Sequence, residues 1–198
     1  MGQDRQIHLS FTKVSGRKVE ADFEGGNVTS DGGALFLREV DKGVGIIRRL
    51  ASAIRDRRDS RYIDHTLEDL LSQRVFQIAL GYEDANDCNE LRTDVGLKVA
   101  CGRLPISGAD LCSQATMTRL ENGIVRKKRH GISRGDLYRM AQALVDTFID
   151  SYARPPKAII LDIDDTDDPT HGGQQLSLFN ALVSAKIRDG HGCENGTN

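Results

Sequence analysis

Tryptophan is absent from this chain of 198 residues, and aromatic side chains make up only 5% of it. A core must therefore be built from Leu, Ile, Val and Ala, within an apolar fraction of 38%. The four cysteines include no Cys-x-x-Cys pair; they are Cys88, Cys101, Cys112 and Cys193. Their scatter argues against a zinc ribbon and indicates a reducing compartment.

Long apolar runs are missing as well. No stretch approaches the ~18 apolar residues of a membrane-spanning helix. Residues 1–6 form no apolar signal core. We therefore expect a cytoplasmic protein without a membrane partner, with a length that allows one domain or two small ones.

The formal net charge of -2 conceals two strongly charged regions. Five aspartates lie within residues 162–168, whereas residues 119–139 contain seven Lys and Arg. A second basic stretch begins within one expected helix and continues into the linker that follows it; its members are Arg48, Arg49, Arg55, Arg57, Arg58 and Arg61. This stretch is either a solvated face or a contact for DNA phosphates.

Hydrophobic periodicity predicts a mostly helical amino-terminal region. Weak alternation predicts one or two strands before residue 28, broken at Ser15-Gly16. Helices are expected over residues 34–40, 46–54, 66–80, 90–100 and from 133 to about 152. The last helix opens with a Ser133-x-x-Asp136 capping box, and its expected apolar face contains Leu137, Met140, Ala141, Leu144, Val145, Phe148 and Ile149.

Residues 113–122 resemble the recognition helix of helix-turn-helix repressors. The side chains suited to base edges and phosphates are Gln114, Thr116, Thr118 and Arg119. A basic run follows, formed by Arg126, Lys127, Lys128 and Arg129. An ordinary amphipathic helix is the alternative, because Pro105 and Gly108 leave little room for a first helix.

An apolar run at residues 158–161 ends in carboxylates. In a strand, Asp162 and Asp164 point to the same face, where two like charges call for a cation or a shared proton. Three interpretations follow: an acidic turn, a phosphohydrolase of the haloacid-dehalogenase type, or a DDE nucleotidyltransferase that holds metal ions. The second needs a Lys and a further acidic pair on downstream strands, for which only about thirty residues remain after Thr166.

Several segments together resemble the DDE transposases of bacterial insertion sequences, in the family called transposase DDE domain group 1. The matching segments are residues 29–35, 67–74, 79–87, 113–122 and 161–172. The similarity spans roughly residues 18–180. Any one segment would be weak by itself, but their joint order is specific.

The resemblance implies an enzyme that binds terminal inverted repeats, cleaves DNA and joins the freed end to target DNA. Asp164 would be the first catalytic carboxylate, with Asp162 in support, and both would be ligands of Mg²⁺, with Mn²⁺ as the alternative. Protein partners would be a second copy, giving a homo-oligomer, or an intact transposase.

We expect an α+β fold in three parts. Residues 1–153 form a mostly helical DNA-binding region with a small strand element, and residues 154–180 begin an RNase H-like α/β catalytic domain. Residues 181–198 lack strand alternation and form an aberrant, disordered tail. Because the later carboxylates of the triad are missing, we expect a truncated, inactive copy. The alternative is a non-enzymatic helix-turn-helix DNA-binding regulator.

Overall fold

The computed structural model describes residues 9–23, 25–26, 28–122, 131–154 and 156–160. It also describes the backbone of two strands at residues 177–180 and 185–188. The chain divides into two compact units, Met1–Arg154 and Pro155–Asn198. The described part is mostly helical with small two-stranded sheets, which confirms the α+β class. The RNase H-like part remains a prediction.

An antiparallel hairpin opens the first unit, as the alternation predicted. Strand β1 covers Leu9–Val14 and β2 covers Arg17–Ala21. Ser15 and Gly16 both have positive φ, at 48° and 77°, which is the backbone of a two-residue hairpin turn that follows the strand twist.

Seven helices follow in the described part of this unit. They are α1 Gly33–Val44, α2 Ile46–Ala53, α3 Leu67–Ala79, α4 Cys88–Leu91, α5 Val95–Ala100, α6 Gln114–Glu121 and α7 Arg134–Asp150. The single helix predicted over residues 90–100 is wrong. Asp94 interrupts it, because its carboxylate accepts the Leu97 backbone N–H at 2.7 Å and starts α5 anew.

The hairpin is attached to α1 through a buried arginine. Arg38 is only 6% exposed, and its guanidinium donates to the carbonyls of Thr12 and Lys13, both at 3.0 Å. Glu39 accepts from the Thr12 backbone and hydroxyl. These contacts satisfy backbone groups of β1 and fix the hairpin on the helical unit.

Helix α3 lies in the centre of the core. Its apolar spacing predicts one buried face that contains Leu67, Leu70, Leu71, Val75, Ile78 and Ala79. Leu70 and Leu71 are buried as expected and Phe76 is buried as well, whereas Ile78 is half exposed. Gln73 and Gln77 are fully buried in its place. The Gln73 amide both donates to and accepts from the Cys112 backbone, which offsets the cost of burying it. Gln77 Oε1 accepts from the Cys88 thiol, whereas Gln77 Nε2 has no hydrogen-bond partner among the described residues.

Helix α7 begins at the predicted capping box, and it packs on α2 through Met140 and Ala143. Most of its predicted apolar face is not buried. Leu137, Leu144, Val145, Phe148 and Ile149 all remain exposed. The helix that carries the predicted apolar face is therefore present, but no described element covers most of that face. Side-chain periodicity predicts which residues share a face, but not whether another element covers it.

The segment at residues 29–33 joins three helices. Thr29 Oγ1 accepts the Asp31 backbone N–H at 3.0 Å and donates to the Asp94 carboxylate at 3.1 Å. The Tyr82 hydroxyl donates to the buried Asp31 carboxylate at 3.1 Å. Two of the segments that carry the family resemblance thus meet at one structural junction.

The second unit contains strands β3 Ser177–Asn180 and β4 Ala185–Arg188, which pair antiparallel. The expectation that the tail lacks strand structure is wrong for Ala185–Arg188. The buried strand expected at residues 158–161 is also wrong where it is described. Residues 156–160 form no strand, and Ile160 is 95% exposed. A strand is stable only when a neighbour accepts its backbone hydrogen bonds.

Candidate nucleic-acid interface

Helix α6 is held rigidly by the core beneath it. Gln73 Nε2 donates to the Cys112 carbonyl at 3.1 Å, and Gln73 Oε1 accepts the Cys112 backbone N–H at 2.8 Å. Met117 and Leu120 face the core, at 0% and 7% exposure. This paired hydrogen bond and these two anchors fix which side of α6 is presented to solvent.

The four polar residues predicted on α6 divide between two sides of the helix. Thr116 and Arg119 line one groove, and the Arg119 guanidinium donates to Thr116 Oγ1 at 3.0 Å. Gln114 and Thr118 line a different depression, where the Gln114 amide donates to Thr118 Oγ1 at 3.1 Å. The structure therefore does not bring all four residues into one site.

The groove beside Thr116 and Arg119 is formed with the basic linker between α2 and α3. We call it the arginine groove, and it has a volume of about 320 Å³. The linker contributes Arg55, Arg57 and Arg58, together with Asp56 and Asp59. With Arg119, the groove is lined by four arginines and two aspartates. The arginines of two segments that are distant in the sequence thus meet on one surface, which raises the local positive potential.

The linker arginines are not equivalent. Arg58 forms a bidentate pair with Asp56, at 2.9 and 2.7 Å, and also donates to the His65 carbonyl. Arg61 pairs with Asp59, whose carboxyl pKa is lowered by the hydrogen bonds from Arg61. These two arginines therefore serve largely to hold the linker in its conformation.

Arg55 and Arg57 differ from those two in having exposed side chains and no ion pair with any described residue. The Arg55 backbone N–H donates to the Asp136 carboxylate at 3.1 Å, which fixes the linker to the start of α7. Their guanidinium groups are thus available to an anionic ligand. Sequence reasoning placed both residues in a basic linker but not in a site with α6.

The depression beside Gln114 and Thr118 has the opposite charge. Its lining includes Glu83, Asp84 and Glu121. The one arginine there, Arg74, is already bound to Glu121 at 2.5 Å and to the carbonyls of residues 82 and 83. A phosphate would be repelled on this side of α6. Gln114 and Thr118 are therefore weaker candidates than Thr116 and Arg119.

The turn before α6 differs from that of a helix-turn-helix motif. Helix α5 ends at Ala100, and residues 101–113 separate it from α6. Helix-turn-helix motifs join their helices by three or four residues. Here the longer loop is held by Lys98, whose ammonium donates to the Gly108 carbonyl at 2.8 Å. A contact between α6 and DNA stays a prediction, but the motif is not formed by α5 and α6.

The remaining predicted site residues lie outside the described residues. These are Arg126, Lys127, Lys128 and Arg129 of the basic run, and Asp162 and Asp164 of the proposed metal site. Among the described residues, no three His, Cys, Asp or Glu side chains are grouped so as to hold a metal ion. Within the same part of the chain, no helix has the length and hydropathy needed to cross a bilayer.

His65 lies in the turn that precedes α3, where the sequence favours a structural role over a metal site. It directly precedes Thr66, the residue that caps α3, and its Nδ1 atom lies 3.0 Å from the Arg103 guanidinium. Burial and the nearby Arg103 charge lower the pKa of its imidazole. A neutral imidazole can accept this hydrogen bond, which gives His65 a structural role.

Comparison with known proteins identifies the family. The family model described as transposase DDE domain group 1 matches residues 11–185. No curated protein matches the chain significantly, and neither does any solved structure. The match covers both the helical unit with its arginine groove and the acidic segment around Asp164. The chain belongs to the transposase family that carries the group 1 DDE domain.

Proposed function

We propose that this chain binds DNA through the arginine groove, as part of a DDE-type transposase. The observation that carries the proposal is the meeting of Arg55 and Arg57 with Thr116 and Arg119 on one surface. Guanidinium groups bind phosphates strongly, and hydroxyl and guanidinium groups of a helix reach base edges. The proposed ligands are terminal inverted repeats and target DNA. The proposed location is the cytoplasm, where a bacterial enzyme meets its DNA.

The catalytic part of the proposal concerns Asp162 and Asp164. We assign them as ligands of Mg²⁺, with Mn²⁺ as the alternative, and Asp164 as the first catalytic carboxylate. A bound divalent ion would supply Lewis-acid activation for phosphodiester cleavage. Because the sequence predicts an inactive copy, we expect this chain to bind labelled duplex DNA without cleaving it. Cleavage in Mg²⁺ but not in EDTA would reject that inactivity and would support Asp162 and Asp164 as metal ligands. The second candidate, a non-enzymatic DNA-binding regulator, uses the same groove.

Charge removal in the groove gives the direct test of DNA binding. The double variant Arg57→Gln/Arg119→Gln should weaken binding to a labelled duplex of random sequence. It should also reduce the salt slope of log K by about 2, because each phosphate contact contributes about 1 to that slope. The measurement is fluorescence anisotropy at two or more salt concentrations.

Arg17→Gln is the matched control for this test. Arg17 is an exposed arginine of β2 that does not line the arginine groove, and it is replaced by the same residue. Its salt slope should stay close to that of the wild type. A reduction of the salt slope in Arg17→Gln that is half as large as in the double variant would show that binding follows the number of charges removed rather than this groove.

A further inference from the structure

The arginine groove combines two kinds of surface. Its floor is apolar, formed by Ile54, Leu67, Leu70 and Leu120, and its rim carries Arg55, Arg57 and Arg119. Asp56 and Asp59 also line the groove, and they pair with Arg58 and Arg61. Ile54, Leu70 and Leu120 are exposed by only 7%, 2% and 7%. These three side chains pack mainly in the core, so the floor is a small apolar surface at the bottom of the groove.

A fully paired duplex does not match this floor. Its outer surface presents phosphates and sugars, and its bases expose only their edges in the grooves. The face of a base becomes available when the nucleotide is unpaired, and aromatic and apolar side chains then bind that face. The groove volume of about 320 Å³ lies at the lower end of small-ligand pockets, which suits one nucleotide rather than several.

Tyr62 provides an aromatic ring on which an unpaired base can stack. Its side chain lines the groove and is 80% exposed. The Arg61 guanidinium lies 5.7 Å from the ring centroid, and Asp59 holds that guanidinium by hydrogen bonds at 3.1 and 2.7 Å. An exposed tyrosine kept in place beside an apolar floor and a basic rim is a stacking surface for a base.

From this geometry we infer that the arginine groove binds one unpaired nucleotide of DNA. Its base lies on the apolar floor against Tyr62, and its phosphate lies at Arg57 and Arg119. The inference rests on the proposed DNA-binding function and adds that the bound DNA is unpaired at this point. The rim charges complement the phosphate, and the floor complements the base.

The test uses the full chain and two duplexes of the same sequence. One carries a single extrahelical 2-aminopurine, and the other carries 2-aminopurine in a base pair. The chain should bind the bulged duplex about 10-fold more tightly, the lower end of the range for stacking one base. Binding should also quench the 2-aminopurine emission of the bulged duplex.

Tyr62→Ala should remove the preference for the bulged duplex, so that the two duplexes bind this variant with equal affinity. Tyr138→Ala is the matched control, because Tyr138 is also exposed, at 69%, and lies on α7 away from the groove lining. It should keep the 10-fold preference. Circular dichroism checks that both variants are folded. We expect both to fold, because the two tyrosine rings are exposed and their removal leaves no cavity.

Equal affinity for the two duplexes, with unchanged emission, would overturn this inference and leave the proposed DNA binding intact. A preference that persists in Tyr62→Ala would likewise reject Tyr62 as the stacking surface. Absence of binding to either duplex would reject the proposed function, and the inference with it.

Discussion

Replacing Asp136 with alanine should destabilise the helical unit by about 3 kcal/mol. Its side chain is fully buried, and one carboxylate oxygen accepts the Ser133 backbone N–H at 2.8 Å and the Ser133 hydroxyl at 2.5 Å. The other oxygen accepts the Arg55 backbone N–H at 3.1 Å and pairs with Arg139. Truncation removes a helix cap and leaves buried donors without partners.

Urea denaturation followed by circular dichroism measures this loss. Asp146→Ala is the matched control, because Asp146 lies exposed on the same helix and forms no ion pair with a described residue. That variant should stay within about 0.5 kcal/mol of the wild type. Similar losses in both variants would mean that the Asp136 contacts contribute little. Since Asp136 also holds the Arg55 backbone, its loss should weaken DNA binding as well.

The contribution of Asp136 should depend on pH in a defined direction. Burial alone would raise the pKa of its carboxyl, but hydrogen bonds from Ser133 and Arg55 and the Arg139 charge outweigh it and lower the pKa below its ordinary 3.8. The stabilisation is therefore complete above about pH 4 and is lost as the pH falls through the lowered folded-state pKa. The stability difference between wild type and Asp136→Ala should shrink correspondingly below pH 4.

Gly96→Ala should destabilise the protein by about 2 kcal/mol. A Cβ atom on Gly96 would lie 2.7 Å from Thr29 Cγ2 and 2.8 Å from Thr29 Oγ1. The Thr29 side chain cannot easily turn away, because it is β-branched and its hydroxyl is bonded to Asp31 and Asp94. Relief of the clash would therefore disturb the junction between α1 and α5.

Gly43→Ala in α1 is the matched control for this substitution. A Cβ atom there meets nothing within 4 Å, and the backbone does not have positive φ. The same change should stabilise the chain by about 0.5–1 kcal/mol through helix propensity and reduced unfolded-state entropy. Thermal melts of both variants should shift in opposite directions. A stabilising Gly96→Ala would show that Thr29 can move at little cost.

The sequence predicted the local elements well. Alternation before residue 28 and the Ser15-Gly16 break gave the hairpin, and leucine spacing gave α3 with Gly81 after its end. The Ser133-x-x-Asp136 pattern gave the start of α7. These features depend on backbone conformation and on side chains a few residues apart, so they are encoded locally.

The candidate site was predictable only in part. The residue types on α6 and the basic linker were visible in the sequence as two separate features. The sequence did not show that these two features form one groove. Their proximity depends on core packing among Ile54, Leu70 and Leu120, which are far apart in the sequence. Thr116 and Arg119 lie on a different side of α6 from Gln114 and Thr118. This arrangement also depends on the tertiary structure, because the buried Met117 fixes how α6 is rotated against the core.

By itself, the sequence determined the family, the α+β class and where most helices begin and end. The tertiary structure decided which polar groups are buried, as for Gln73 and Asp136, and which apolar groups of α7 stay exposed. The physical reason is that a repeat of 3.6 residues sets the faces of a helix, whereas burial requires a partner elsewhere in the chain. The tertiary structure also decided which linker arginine can bind a ligand. Arg58 is paired with Asp56, whereas Arg57 forms no ion pair with a described residue.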